Sequence, residues 1–172
     1  MYKPHDLDSL THRDAIDAVG RDIDTHPVAL ATSGILTVVR HIALISHLVT
    51  RLAADSHFHT GHSHESPGQG DSTSTQLPVE TLTAAAGPLA EALSHGTRAL
   101  GHYGQALAPL AVLSQPPHVT TPHHESEATD TLRRHLRNAR RSLAQARTAL
   151  HRPATTTPNA PRSPGPVAGR RR

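Results

Sequence analysis

ESEATDTLRRHLRNARRSLAQARTALH, residues 125–151, decides the fold class of this chain. Leu132, Leu136, Ala139, Leu143, Ala146 and Leu150 recur at alternating spacings of four and three, which aligns them in one stripe along a helix. Glu125, Glu127 and Asp130 stand in its first turns and arginines towards its end, the order that the helix dipole favours; Pro153 stops it. Immediately upstream, residues 79–113 repeat the pattern. Leu82, Ala86, Leu89, Leu93, Gly96, Leu100, Tyr103, Leu107 and Leu110 form the seam of a packed helix pair. Pro88 and Pro109 interrupt that stretch, which predicts a kink or restart near Gly87–Pro88 and an end near Ala108.

Two further helices lie towards the N-terminus. The first is short, from about Ser9 to Asp24, with Thr11 and Asp14 spaced as a capping box and Ile16, Val19 and Ile23 on one side. The second runs from about Pro27 to Ala54. Its polar residues Ser33, Thr37, Arg40, His47 and Arg51 share a narrow stripe, and most other positions are apolar. So wide an apolar arc predicts the central helix of the domain. Polar stretches at 55–77 and 115–124 read as linkers, and the Pro- and Arg-rich residues 153–172 as a disordered tail. The expected architecture is all-α: an antiparallel four-helix bundle, one helix short and three long, over residues 1–152.

Composition agrees with a helical bundle. A chain of 172 residues supplies one domain of ordinary size. Its only aromatics are Tyr2, Phe58 and Tyr103, so the core must be built from Leu, Ala, Val and Ile. The absence of cysteine excludes disulfides, iron–sulfur clusters, thiolate zinc sites and cysteine nucleophiles. A bilayer span over residues 28–50 is the competing reading of the second helix. Its eleven Leu, Ile and Val residues contribute roughly −3 to −6 kcal/mol to insertion, and central Arg40 opposes with about +3 kcal/mol. The uncharged run ends after twelve residues, which favours a buried helix over a membrane span. No positive region followed by an apolar run opens the chain, so a cytoplasmic location is expected.

Charge is segregated. Residues 1–27 carry net −3 and residues 28–130 net −5, whereas residues 131–172 hold eleven arginines and no acid. On the fourth helix, Arg133, Arg134, Arg137, Arg140, Arg141 and Arg147 fall within one arc beside the leucine stripe. Clustered guanidinium groups fit carboxylates or phosphates through forked hydrogen bonds, so this arc is the candidate surface for an anionic partner. Part of the arc is expected to be neutralised by the acidic first helix. Few aromatics and no helix-turn-helix or zinc-finger pattern leave only non-specific contact with nucleic acid.

His57, His59, His62 and His64 alternate in the first linker and could wrap a divalent zinc, nickel or copper ion weakly. Sixteen arginines against one lysine read as the codon bias of a GC-rich bacterial genome, which scatters histidine over solvated surfaces too. His95 and His102, seven residues apart, are read as surface positions. His64–Glu65 and His124–Glu125 do not complete H-E-x-x-H, and no nucleophile elbow or phosphate-binding glycine loop is present. Catalysis and a bound cofactor are therefore not expected.

The stretches THRDAIDAVGRDIDTH (residues 11–26) and GPLAEALSHGTRALGHYGQAL (residues 87–107) resemble small all-helical actinobacterial proteins of unknown function, some of them on mobile elements. The resemblance spans the first two thirds of the chain, rests on no diagnostic motif, and implies neither an activity nor site residues. The expected role is a non-enzymatic interaction protein that self-associates or binds an acidic protein. The alternatives are a nucleic-acid-associated accessory protein and a weak metal-handling protein.

Overall fold

Thr11 opens the first long-range element. Its hydroxyl accepts from the Asp14 amide at 3.2 Å, and helix α1 follows over His12–Thr25. Helices α2 (Thr32–Gly61), α3 (Val79–Leu113) and α4 (Pro122–His151) complete the fold in the computed structural model, preceded by a 3-10 turn at Pro4–Leu7. The structure describes residues 2–61, 79–116 and 120–152, with the side chains of 59–61 and 79–86 left aside.

The chain is an all-α, antiparallel four-helix bundle. α3 packs along both α2 and α4, while α1 closes the other side between the same two helices. α2 and α4 therefore stand at opposite corners. Ile16, Val19 and Ile23 of α1 meet Val38, Ile45, Leu48 and Leu52 of α2, Tyr103 and Leu110 of α3, and Leu132 and Leu143 of α4 in one buried cluster. On α3 Leu89, Gly96, Tyr103 and Leu110 of the expected seam are buried, together with Ala92, Ala99 and Ala106, while Leu93, Leu100 and Leu107 are half-buried. The buried face is wider than the expected seam because α3 is wedged between two neighbours rather than paired with one. At Gly96 an added Cβ would lie 3.0 Å from Val49 Cγ2, so α2 approaches α3 closely there.

Four expectations are corrected. α3 runs unbroken through Pro88 and Pro109. The carbonyl that Pro109 cannot bond belongs to Gln105, an exposed residue, so the lost bond leaves no buried acceptor unsatisfied. α2 is not the central helix: Leu36 and Val39 remain 74% and 49% exposed, and only the arc facing α3 and α1 is covered. Its helical conformation also continues to Gly61, past the linker boundary expected at residue 55, and α4 begins at Pro122 rather than after His124. Pro122 suits the first turn, where its missing N–H is no loss, and Thr121 accepts from the His124 amide. Residues 62–78 and the tail at 153–172 lie outside the described residues.

Candidate functional site

Positive charge on α4 is divided by what lies beside it. Arg140 Nε stands 3.7 Å from Asp24 and Arg147 Nε 2.7 Å from Asp17, so the flank of α4 towards α1 meets an acidic helix. Arg13 of α1 answers by donating to the Leu150 carbonyl at 2.8 Å, near the end of α4. Arg133 pairs with Asp130 on its own helix at 3.7 Å, and Arg152 reaches Glu91 of α3 at 2.9 Å. Arg134, Arg137 and Arg141 are exposed and form no ion pair among the described residues. These three share the outer stripe, spanning about 10.5 Å of helix axis. Thus the structure keeps the six predicted arginines on one side and leaves three of them unpaired.

Only the start of the histidine tract falls on the described residues. His57 lies on the last turns of α2 and is exposed, His59 falls in the same helix, and His62 and His64 lie outside the described residues. Among the described residues no group of three or more His, Asp or Glu side chains is arranged to hold a metal ion. His95 and His102, expected as surface positions, are half-buried. The His102 ring meets His135 of α4 with centroids 6.1 Å apart, and Nδ1 of each is buried without a hydrogen-bond partner. Desolvation, followed by His102 and Arg134, lowers the His135 pKa below that of an ordinary histidine.

A second polar centre lies inside the bundle. The carboxylate of Asp22, buried at the end of α1, accepts from Arg40 Nη2 at 2.8 Å and from the Tyr2 amide at 3.2 Å. His47 Nε2 lies 2.7 Å from Asp8, and Arg51 donates to the Leu7 and Leu10 carbonyls. The polar stripe of α2 is therefore spent on fastening the N-terminal segment. Next to Arg40 in sequence, His41 is 0% exposed, and neither ring nitrogen has a hydrogen-bond partner. Its ring stands edge-on to Tyr103 of α3, with centroids 5.3 Å apart and planes at 79°. Burial holds the imidazole down to about 4 against the pull of Asp22, with Arg40, His26 and Arg140 adding to the depression. Burial likewise pushes the Tyr103 phenol above its usual range.

No family model, curated protein or solved structure matches the chain. Local geometry alone therefore carries the functional reading. Sequence periodicity placed the arginine arc but passed over His41. The available signal was its phase: it falls in register with Val38, Ile45, Leu48 and Leu52, all of which point into the core.

Proposed function

We propose that this protein is a non-enzymatic interaction protein that binds an acidic protein surface through the outer stripe of α4. The observation that carries this reading is the trio Arg134, Arg137 and Arg141, exposed and unpaired among the described residues while neighbouring arginines are neutralised within the fold. Exposed guanidinium groups at helical spacing offer forked donors to carboxylates. Acidic side chains flank the trio: Glu127 and Asp130 on α4, Asp17 and Asp24 on α1. They shorten the basic footprint to a patch that suits a local acidic cluster better than a continuous phosphate backbone.

The test is fluorescence anisotropy with two labelled probes, an oligoglutamate peptide and a duplex DNA, across a salt series. Wild type is expected to bind the peptide more tightly, and Arg134→Gln/Arg137→Gln/Arg141→Gln to lose most of that affinity and its salt dependence. Tighter binding of the duplex would transfer the reading to nucleic acid. Failure of wild type to bind either probe at low salt would remove it.

A second reading, self-association, is favoured by the opposite corner of the bundle. Leu36, Val39, Ala43, Thr50 and Ala54 line the outer side of α2 without a charge, a stripe that matches an identical stripe across a two-fold axis. α2 is also long and apolar enough to cross a membrane, with 33% of the apolar window buried. Arg40 within it is committed to Asp22. Sedimentation velocity of wild type and Leu36→Glu distinguishes the cases: a dimer that the variant dissolves supports pairing through α2, and a monomeric wild type refutes it.

A further inference from the structure

His102 of α3 and His135 of α4 meet where the seam between these helices reaches the surface. His102 lies three residues after buried Ala99 and four before buried Ala106, and His135 stands in the same relation to Leu132 and Ala139. Both rings therefore leave their helices along the edge of the packed face. Their centroids are 6.1 Å apart and their planes cross at 38°. In each ring Nδ1 is buried, whereas Nε2 is reached by solvent and has no hydrogen-bond partner among the described residues. We propose that the Nε2 atoms of His102 and His135 form a two-histidine site for a copper(II)-like divalent ion that bridges α3 and α4.

The spacing admits the ion. A metal about 2.0–2.1 Å from an imidazole nitrogen lies about 3.2 Å from the ring centroid, so two rings on one ion are separated by about 4.5 Å when adjacent and about 6.4 Å when opposite. The 6.1 Å between His102 and His135 falls inside that range, so side-chain rotation completes the site without moving either helix. Burial of one edge limits how far each ring turns and keeps the two open edges together. The donor set then selects the metal. Imidazole nitrogen suits copper, nickel and zinc, and copper(II) binds such sites tightest among the divalent ions. Two nitrogens with water in the remaining positions match the tetragonal preference of copper(II) or nickel(II), whereas a closed zinc site asks for four protein ligands. Arg134, whose charge acts on His135, opposes a cation, but it is exposed and screened by solvent, so it lowers the affinity without closing the site. His123 and His124 supply the contrast. Their rings are as near, 6.2 Å apart, but both stand in the first turn of α4, so an ion on them joins no second element.

The full chain carrying His57→Gln/His59→Gln/His62→Gln/His64→Gln serves as parent, so that the tract after α2 does not compete for the ion. It is titrated at neutral pH with copper(II) sulfate alone. Electron paramagnetic resonance at one equivalent should show coupling to two imidazole nitrogens. His102→Gln and His135→Gln, added singly, should each weaken binding at least ten-fold, and combining them should cost little more, because one ring without the other no longer chelates. His123→Gln/His124→Gln should leave the Kd unaltered, and Arg134→Gln should tighten it. Nickel(II) and zinc(II) should bind more weakly than copper(II). Copper should also raise the urea midpoint of the parent more than that of either single variant, since the bridge between α3 and α4 exists only in the folded state. The proposal is overturned if only one nitrogen couples, if the single variants bind copper as the parent does, which would mean an adventitious ion only, or if copper moves all the midpoints equally.

Discussion

Replacing His41 by Phe should remove about 2 kcal/mol of acid sensitivity from this protein. The unfolded chain protonates the residue near the ordinary histidine value of 6.5, and the folded chain only near 4. Between those values the unfolded state binds a proton that the folded state does not, so stability is complete above the upper value and falls as the pH drops through the window. The whole displacement is worth about 3 kcal/mol at 1.36 kcal/mol per unit, and about 2 kcal/mol of it is already lost at pH 5. Phe retains a ring edge-on to Tyr103 and removes both unpartnered nitrogens, so at pH 7 its stability should be close to or above that of wild type.

Urea unfolding of both proteins at pH 7 and pH 5, followed by far-ultraviolet circular dichroism, reads this directly. Every group other than residue 41 is common to both proteins and cancels in the double difference. Wild type should lose about 2 kcal/mol more than His41→Phe on acidification. Equal losses would show that the imidazole is solvated in the folded state, contrary to its burial between α2 and α3.

Four other substitutions probe the packing by thermal or urea melts at neutral pH. Leu132→Ala, at a fully buried position of α4, should cost about 2–5 kcal/mol, and a wild-type midpoint would refute the assigned register. Gly34→Ala drives a Cβ into the Ala29 carbonyl oxygen, so the turn into α2 must shift at a cost of about 1–3 kcal/mol. Gly101→Ala and Gly104→Ala meet open space on the exposed side of α3 and should each stabilise by about 0.5–1 kcal/mol; destabilisation by either would contradict the helix there.

Helix identity was legible because each helix carries its own stripe of leucine, isoleucine or alanine, and such stripes need no knowledge of a partner. α3 was found at Val79–Leu113, and the cap at Thr11 followed from one hydroxyl and one acid three residues apart. Composition misled where it stood in for periodicity. Ser56, His57 and Phe58 look like linker residues, yet they continue α2, whose preceding turns already satisfy the backbone at propagation cost only. The histidine pair was illegible for a different reason. His102 and His135 lie on two helices, α3 and α4, and a stripe fixes the phase of a residue on its own helix without saying which other stripes it meets.

The ion pairs between α1 and α4 also change the meaning of the charge segregation. Exposed pairs such as Arg140–Asp24 contribute about 0–1 kcal/mol each, so they do not hold α1 in place. Burial of Ile16, Val19 and Ile23, at about 1.5–3 kcal/mol per side chain, does that. The acids of α1 instead decide how much of the α4 arc remains positive. Without Asp17 and Asp24 the whole arc would repel itself and attract anions indiscriminately; with them, the field is concentrated on Arg134, Arg137 and Arg141. Opposite these, α2 presents an uncharged stripe at the far corner of the bundle. The acidic partner proposed for α4 and the second copy proposed for α2 are therefore compatible, because the two surfaces share no residue and face away from each other.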